Sequence, residues 1–184
     1  MKEEIRKINK TRRGEMSREE VNKKSKAAAD AFLASELYKN AFEIMVYIPL
    51  GNETNTSYII DKIHDDGKKC IVPITNKETG EITPYYLKKN AELKKGAFSI
   101  FEPVGAKKAD KNDLDIIIVP GIAFDKNGVR VGFGKGCYDR FLKDVKVVKL
   151  GYCYDFQLSD EIPSKSHDIK MDFLVTESGL IECE

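Results

Sequence analysis

Three glycines at alternate positions surround a lysine in the C-terminal half of the chain. Gly132, Gly134 and Gly136 enclose Lys135, and a helix is predicted to begin near Cys137. Glycine before a helix start lets several backbone N–H groups turn toward one anion, and the helix dipole adds positive potential there. Because the lysine supplies a full charge in the same loop, the segment predicts phosphate binding.

The glycine loop differs from the two common nucleotide-binding patterns. A P-loop has serine or threonine after its lysine, whereas glycine and cysteine follow Lys135, and the third glycine comes one residue early for the dinucleotide fingerprint. A tight connection between a strand and a helix would account for the glycines without any ligand. We favour phosphate binding because Arg130 and Asp139 lie in the same stretch.

Two acidic segments are candidates for binding a divalent cation. Asp139 falls in the first turn of the predicted helix, where an acid interacts favourably with the helix dipole and could also hold Mg²⁺ beside a bound phosphate. The second segment contains His167, Asp168 and Asp172. One histidine and two aspartates are few ligands for zinc, and a capping role for the carboxylates explains them equally well.

A polar segment follows the first apolar strand and contains Glu53 and Asn55. Ligands of open α/β sheets bind beyond the carboxyl ends of the strands, so both side chains are candidates to bind the polar groups of a substrate. A loop that ends in a helix N-cap is the alternative interpretation of the same residues.

The elements that must position these residues alternate between strands and helices. Two apolar strands, each closed by a proline and separated by a helix, indicate a βαβ unit of a parallel sheet. The first forty residues predict two helices, the second of which opens with a capping box formed by Ser17 and Glu20 and ends near residue 40. We predict strands at 44–48, 70–72, 82–87, 98–101, 116–119, 145–152 and 171–175, with further helices at 55–66 and 137–144.

This order of elements predicts an α/β fold with a mostly parallel sheet and helices on both faces. We expect a single domain over residues 1–184, on which residues 1–40 pack as an N-terminal helical segment. The four cysteines lie far apart and form no Cys-x-x-Cys pair, which argues against a zinc cluster or a disulfide framework. No run approaches the ~18 apolar residues of a membrane span, and the N-terminus lacks the apolar core of a signal peptide. We therefore expect a cytoplasmic protein without a membrane partner.

Positive charge is concentrated at the N-terminus. Residues 1–26 contain ten lysines and arginines against five glutamates, although the whole chain has a net charge of only +1. The segment is either the solvated face of a surface helix or a contact for an anion, such as a nucleotide, a polyanionic small molecule or RNA. Nucleic acid alone is the least favoured of these partners because the segment has no interleaved aromatic residues.

Several short motifs follow one another along nearly the whole chain. The strongest joins Val-Pro-Gly-Ile-Ala-Phe-Asp at 119–125 to Gly-Val-Arg-Val-Gly-Phe-Gly-Lys-Gly-Cys-Tyr-Asp-Arg at 128–140. The others lie at 2–6, at 47–49 with 53–56, at 101–103, and at 167–168 with Asp172. In this order the motifs resemble those of the 5-formyltetrahydrofolate cyclo-ligase family, also called the 5,10-methenyltetrahydrofolate synthetases.

The resemblance implies an ATP-dependent reaction. ATP and 5-formyltetrahydrofolate, with or without a polyglutamate tail, would give 5,10-methenyltetrahydrofolate, ADP and phosphate, with Mg²⁺ as cofactor. The formyl oxygen would be phosphorylated and N10 of the folate would then close the ring, so that the protein contributes mainly positioning and charge neutralisation. The resemblance also implies a fold like that of sugar-phosphate isomerases and CoA transferases. We expect no nucleic-acid partner and a monomer or a small homo-oligomer.

The resemblance also assigns roles to individual residues of this sequence. It implies catalytic roles for Lys135, Arg130 and Arg6, and Mg²⁺ binding by Asp139 and Asp168. It implies ATP binding by Lys2, Glu3, Glu4, Ile5, Arg6, Arg130, Val131, Gly132, Phe133, Gly134, Lys135, Gly136, Cys137 and Tyr138. It implies folate binding by Arg6, Leu50, Glu53, Asn55, Phe133, Gly134, Lys135, Gly136 and Cys137.

Four positions depart from the usual family pattern. Cys137 replaces a tyrosine, Val131 and Phe133 are variants at their positions, and Asn55 replaces a more typical acid. Loss of that carboxylate would weaken contact with the amino groups of the pterin. Because an amide still accepts one hydrogen bond, we expect an altered affinity for the folate and retained activity.

Three other functions remain as alternatives. A phosphosugar isomerase would share the fold but would need no ATP. A nucleotide- or folate-binding protein that kept the loop would bind these ligands without turnover. An RNA-binding module built on residues 1–26 would show a steep dependence of RNA affinity on salt.

Overall fold

The computed structural model describes residues 1–166 and 168–184 of the chain. In these residues the helices are α1 (Lys2–Glu15), α2 (Arg18–Leu33), α3 (Glu36–Asn40), α4 (Ser57–Asp65) and α5 (Cys137–Leu142). The strands are β1 (Glu43–Met45), β2 (Lys69–Thr75), β3 (Ile82–Tyr86), β4 (Leu93–Lys95), β5 (Phe101–Pro103), β6 (Ile116–Val119), β7 (Ala123–Asp125), β8 (Arg130–Val131), β9 (Val148–Tyr152), β10 (Leu158–Ser159), β11 (Phe173–Thr176) and β12 (Gly179–Glu182).

A seven-stranded sheet has the order β12-β11-β9-β6-β1-β2-β3. The five inner strands pair in parallel, and the outer strands β3 and β12 pair antiparallel with their neighbours. The β1–α4–β2 segment forms the predicted βαβ unit. The predicted α/β fold with a mostly parallel sheet is therefore confirmed.

Helices cover both faces of this sheet because its inner strands are apolar on both sides. Phe32 of α2 and Ile63 of α4 pack in one core cluster with Ile118 of β6. Phe141 of α5 packs in a second cluster with Ile117 of the same strand. Neighbouring residues of a strand point to opposite faces, so the continuous apolar run of β6 serves both clusters.

Two smaller sheets complete the structure. The strands β10, β7 and β8 form one of them, and β4 and β5 form an antiparallel hairpin. Ile5 of α1 packs against a third apolar cluster, which contains Ile122 and Val131 from the β7–β8 region. This contact brings the basic N-terminal helix next to the segment that leads into the glycine loop.

The N-terminal helices differ in one respect from the sequence-based prediction. The capping box at the start of α2 is present, with the Ser17 hydroxyl accepting from the Glu20 N–H and the Glu20 carboxylate accepting from the Ser17 N–H. The helix does not continue to residue 40, because Ser35 accepts from the N–H of Tyr38 and starts the separate helix α3. A serine that bonds to the backbone competes with the helix ladder at that point.

Two predictions in the sheet region were wrong. Pro73 does not end β2 but lies inside it, opposite Pro84 of β3, in a pair that needs no backbone donor. The segment at 98–101 is not a single strand, since a 3₁₀ turn occupies Ala97–Ser99 before β5. The final hairpin strand β12 was not predicted; its alternating pattern of half-buried and exposed residues is short and contains only two large apolar side chains.

None of the helices in the described residues has the length and apolarity needed to cross a bilayer.

Candidate active site

A cavity of about 920 Å³ lies at the carboxyl ends of the central strands. Tyr47 and Ile48 follow β1, Thr75 ends β2 and Pro120 follows β6, and all four line the cavity. Ligand sites of open α/β sheets form at this edge, because the loops that leave adjacent parallel strands meet there.

Most of the predicted site residues lie together around this cavity. Its walls include Lys2, Arg6, Leu50, Glu53, Arg130, Val131, Gly132, Phe133, Gly134, Lys135, Gly136, Cys137, Tyr138, Asp139 and Asp168. These residues come from four separate segments of the chain, at 2–6, 50–53, 130–139 and 168. His167 lies outside the described residues.

Four predicted contact residues are not part of the cavity wall. The carboxylate of Glu3 is exposed and forms an ion pair with Arg6, and Glu4 is exposed. Ile5 packs against the apolar cluster beside β7 and β8. Asn55 uses its side-chain oxygen to accept the N–H of Ser57, at the start of α4. Their roles in ligand binding stay predictions, and Glu3, Ile5 and Asn55 each have a structural contact instead.

The glycine loop leaves β8 and ends at the start of α5. Gly134 and Gly136 have φ angles of 100° and 62°, a left-handed conformation that side chains with a Cβ rarely adopt. The backbone N–H groups of residues 132–136 form no hydrogen bond with the described part of the chain. The first turn of α5 follows directly, with its own N–H groups unused by the helix. A row of backbone donors therefore adjoins the cavity, next to the ammonium group of Lys135.

Helix α1 is attached to this site by two cationic side chains. The guanidinium Nε of Arg6 donates to the carbonyl oxygen of Gly132 at 3.0 Å. The ammonium of Lys2 forms an ion pair with Asp168 at 2.5 Å. The positive charge at the N-terminus is thus used partly inside the cavity, and the side chain of Arg6 is only 15% exposed.

Arg130 is built into the wall of the cavity. One terminal nitrogen donates to the carbonyl oxygen of Pro120 and the other to Asp139, both at 3.1 Å. The guanidinium carbon lies 5.6 Å from the centre of the Tyr138 ring. The Nε of Arg130 is buried without a hydrogen-bond partner among the described residues. The neighbouring Tyr138 is also desolvated, since burial raises its pKa well above the ordinary tyrosine value. The site therefore contains a fixed, largely desolvated positive charge.

A strained turn at the tip of the β4–β5 hairpin faces the glycine loop. Phe98 and Ser99 both have left-handed φ angles, 54° and 64°, which cost L-residues roughly 1–2 kcal/mol each. The carboxylate of Glu102 accepts the N–H of Ala97 at 3.0 Å and holds the turn. The Nζ of Lys135 lies 3.8 Å from the centre of the Phe98 ring. The sequence did not indicate that Phe98 would lie at this site; Gly96 was the local signal of a turn.

The opposite side of the cavity contains a buried carboxylate. Glu53 accepts the N–H of Leu50 at 2.8 Å, and burial raises its pKa above the ordinary value. Its loop is fixed by tyrosine hydroxyls: Tyr47 donates to the carbonyl oxygen of Thr54 at 2.7 Å, and Tyr154 donates to that of Glu53 at 3.3 Å. A buried carboxyl group that lines a cavity is suited to bind the polar edge of a heterocycle.

The two predicted metal carboxylates line the same cavity. Asp139 is paired with Arg130, and Asp168 is paired with Lys2. No group of three or more histidine, cysteine, aspartate or glutamate side chains that could hold a metal ion is found among residues 1–166 and 168–184. Two carboxylates are nevertheless enough protein ligands for Mg²⁺ when phosphate oxygens and water complete its shell, so the donor set fits this ion.

Comparison with known proteins identifies similar chains over almost the full length. A sequence profile described as the 5-formyltetrahydrofolate cyclo-ligase family matches residues 1–177. The 5-formyltetrahydrofolate cyclo-ligase of Mus musculus is 30% identical over 177 residues, which cover 89% of this chain and 87% of that protein. The enzyme of the same name from Escherichia coli K12 is 28% identical over 181 residues, covering 93% of this chain and 97% of that protein.

Two solved structures have the same fold. The NMR structure of Aquifex aeolicus 5,10-methenyltetrahydrofolate synthetase superimposes with a TM-score of 0.87 at 36% identity, covering 98% of this chain and 92% of that one. The 5,10-methenyltetrahydrofolate synthetase from Mycoplasma pneumoniae gives a TM-score of 0.76 at 22% identity, covering 96% and 98%. At that lower identity the second structure supports the fold alone.

Proposed function

Because the chain belongs to the 5-formyltetrahydrofolate cyclo-ligase family, we propose how its cavity carries out the reaction of that family. The enzyme is a ligase of folate one-carbon metabolism, and it converts 5-formyltetrahydrofolate to 5,10-methenyltetrahydrofolate at the expense of ATP. The observation that carries the mechanism is the row of unbonded N–H groups at 132–136, which adjoins the same cavity as Lys135 and Glu53.

The glycine loop binds the phosphates of ATP in this proposal. Backbone N–H groups from 132–136 and from the first turn of α5 donate to the phosphate oxygens, and the absence of side chains allows close approach. Lys135 provides the mobile charge, since its side chain is exposed and, among the described residues, contacts only the aromatic face of Phe98. Arg6 and Arg130 contribute positive potential from positions fixed by Gly132, Pro120 and Asp139.

The folate lies between the glycine loop and the segment that contains Glu53. Leu50, Phe133 and Phe98 offer apolar surface to its rings, and Glu53 accepts hydrogen bonds from amino groups of the pterin. Asn55 acts on this contact indirectly, because it caps α4 at the end of the loop that carries Glu53. A folate held in this way presents its formyl oxygen toward the phosphate-binding loop.

The reaction then needs positioning more than covalent help from the protein. The formyl oxygen forms a bond to the terminal phosphorus as the bond to ADP breaks, and N10 adds to the activated carbon with loss of its proton. The carbon–oxygen bond to phosphate then breaks and the methenyl cation remains. Lys135 and the loop N–H groups stabilise the charge that moves between phosphate oxygens.

Asp139 and Asp168 would hold Mg²⁺ beside the phosphates. The ion would neutralise charge on the phosphate oxygens, as Mg²⁺ does in other phosphoryl transfers. Arg130 and Lys2 hold these two carboxylates in place by direct ion pairs. The Lys2–Asp168 pair also explains why residues near the start of the chain and near residue 168 belong to one site.

Broader properties follow as part of the same proposal. Residues 1–184 act as one catalytic domain of a cytoplasmic enzyme, as a monomer or a small homo-oligomer. The substrate is accepted with or without a polyglutamate tail. The likeness of the fold to sugar-phosphate isomerases and CoA transferases remains an analogy, and a phosphosugar isomerase would work without ATP.

A spectrophotometric assay tests the proposed function. Purified protein and 5-formyltetrahydrofolate are mixed, Mg·ATP is added last, and the methenyl chromophore is followed, with ATP or Mg²⁺ omitted in parallel samples. We expect the chromophore to form only in the complete mixture. Binding of ATP without any chromophore would make the chain a nucleotide-binding protein without this activity, and formation of the chromophore without Mg²⁺ would exclude the proposed role of the ion.

A further inference from the structure

Arg140 lies between two cavities of the protein. The first is the active-site cavity, and the second, of about 750 Å³, is lined by the β2–β3 turn and residues 108–111. Arg140 and Cys137 are the residues that line both of them in the described part of the chain. The side chain of Arg140 is exposed, so its orientation is determined by its hydrogen bonds and not by burial.

The guanidinium group of Arg140 connects two segments that are distant in sequence. One terminal nitrogen donates to the backbone carbonyl of Lys135 in the glycine loop at 3.0 Å. The other lies 3.4 Å from the carbonyls of both Thr79 and Gly80, in the turn between β2 and β3. Only arginine has a planar fork of donors that can contact both segments at once.

The turn at 76–81 is a rigid partner for this fork. The Asn76 side chain accepts the N–H groups of Glu78 and Thr79 at 2.8 and 3.0 Å, and the N–H of Gly80 donates to the carbonyl of Asn76 at 2.8 Å. Gly80 has a φ of 71°, and a Cβ there would collide with the guanidinium of Arg140. The backbone conformation of this position therefore favours glycine, and the absence of a Cβ leaves room for Arg140 in its observed orientation.

The bond to Lys135 has a consequence for the neighbouring amide. In a trans peptide the C=O and the following N–H point in opposite directions. Because the carbonyl of Lys135 is directed toward Arg140, the N–H of Gly136 is directed away from it and has no hydrogen-bond partner in the described part of the chain. The orientation of a loop donor is thus set by a side chain that is not itself in the loop.

We propose that Arg140 is a positioning residue, which fixes the peptide between Lys135 and Gly136 against the β2–β3 turn and so orients the phosphate-binding loop. The inference rests on the proposed function for its ligand, ATP. Arg140 acts on ATP through the backbone of the loop, whereas the folate contacts proposed above are made by the side chains of Leu50, Glu53, Phe98 and Phe133. Its loss therefore weakens ATP binding selectively.

The test compares four proteins: the wild type, Arg140→Ala, Arg140→Lys and the control Lys146→Ala. Lys146 is exposed just beyond α5 and lines neither cavity, so its replacement removes the same charge without touching the loop. ATP affinity is measured by calorimetry without folate, both KM values are measured in the chromophore assay, and thermal melting checks folding. Free guanidinium ion at low millimolar concentration is added to Arg140→Ala as a chemical rescue.

We expect Arg140→Ala to weaken ATP binding and raise the KM for ATP by about 10-fold, the scale of one lost hydrogen bond from a charged donor. The KM for folate should stay within about twofold of the wild-type value, and thermal melting should remain cooperative. Arg140→Lys should retain little of the lost ATP affinity, because one ammonium group cannot bridge the glycine loop and the β2–β3 turn. Free guanidinium should restore part of the ATP affinity of Arg140→Ala. Lys146→Ala should behave as wild type.

Other outcomes overturn the inference separately from the proposed function. Unchanged ATP affinity in Arg140→Ala, or full activity in Arg140→Lys, would remove the positioning role while wild-type turnover kept the cyclo-ligase mechanism. An equal loss of folate and ATP affinity would indicate a general structural role for the arginine. A wild type that binds ATP but forms no methenyl product would refute the proposed function and leave the effect of Arg140 on ATP binding measurable by calorimetry.

Discussion

The ammonium nitrogen of Lys135 lies 3.8 Å from the centre of the Phe98 ring, so the glycine loop and the β4–β5 hairpin are in direct contact. A cation over an aromatic face contributes from about 0.5 to about 2 kcal/mol, depending on how far water is excluded. This energy is small enough for Lys135 to exchange the ring for a phosphate when ATP binds. The contact therefore keeps the lysine near the cavity without making it unavailable.

Replacement of Phe98 tests whether the ring holds the lysine in place. Because this contact breaks when ATP binds, we expect Phe98→Ala to lower the KM for ATP about 3- to 10-fold, by the cation–π energy that ATP binding no longer has to overcome, while Phe98→Tyr retains the contact. Phe101→Ala is the matched control, because Phe101 lies on the same hairpin, is half exposed and does not line the cavity. Equal KM values for Phe98→Ala and Phe101→Ala would contradict this role.

Replacement of Lys135 should change the kinetics with ATP more than replacement of its aromatic partner Phe98. We expect Lys135→Ala to lower kcat/KM by about 10²-fold or more, the usual effect of losing a charge that stabilises the transition state. The chromophore assay at varied ATP concentration measures this, with Lys146→Ala as a control for the loss of one positive charge. Near-normal kinetics with ATP would remove Lys135 from the mechanism.

The buried carboxyl of Glu53 should make stability depend on pH. Burial raises its folded-state pKa above the ordinary 4.5, so the folded protein binds this proton more tightly than the unfolded chain does. The contribution of Glu53 to the free energy of unfolding is fully present below pH 4.5 and is lost as the pH rises through the raised pKa of the folded state. Glu53→Gln cannot ionise, and it should therefore be more stable than wild type at neutral pH.

Urea unfolding across the acid and neutral range measures this difference. The advantage of Glu53→Gln should disappear as pH falls toward the ordinary glutamate pKa, whereas the exposed control Glu161→Gln should show no such trend. The KM for folate should rise in Glu53→Gln alone, because the carboxylate is lost from the pterin side. A stability difference that did not vary with pH would show that ionisation of Glu53 is not its cause.

The tyrosine hydroxyls behind the folate site should contribute to stability. Tyr47 is buried and donates to the carbonyl of Thr54 at 2.7 Å, so Tyr47→Phe leaves that buried carbonyl without this donor. We expect a loss of about 1–3 kcal/mol in the free energy of unfolding. Tyr58→Phe is the control, since the Tyr58 hydroxyl has no hydrogen-bond partner in the part of the chain that the structure describes. Equal stability of the two variants would show that the Tyr47 bond contributes nothing measurable.

Local signals along the chain were sufficient for many of the elements. The apolar run of β6, the capping box of α2 and the glycines before α5 act over a few residues, and each formed where its pattern predicted. Patterns of this kind report backbone preferences and the faces that must be buried. The break between α2 and α3 was missed because a single serine, Ser35, decided it.

The sequence by itself determined the α/β class, the parallel sheet, the family resemblance and a glycine loop suited to an anion. Only the tertiary structure decided that Arg140 reaches a turn about 60 residues away. It also decided that Lys135 rests on Phe98. The physical reason is that periodicity and turn chemistry act between near neighbours. Contacts between distant side chains depend instead on the crossover connections, and these bring separate segments together only once the whole sheet has formed.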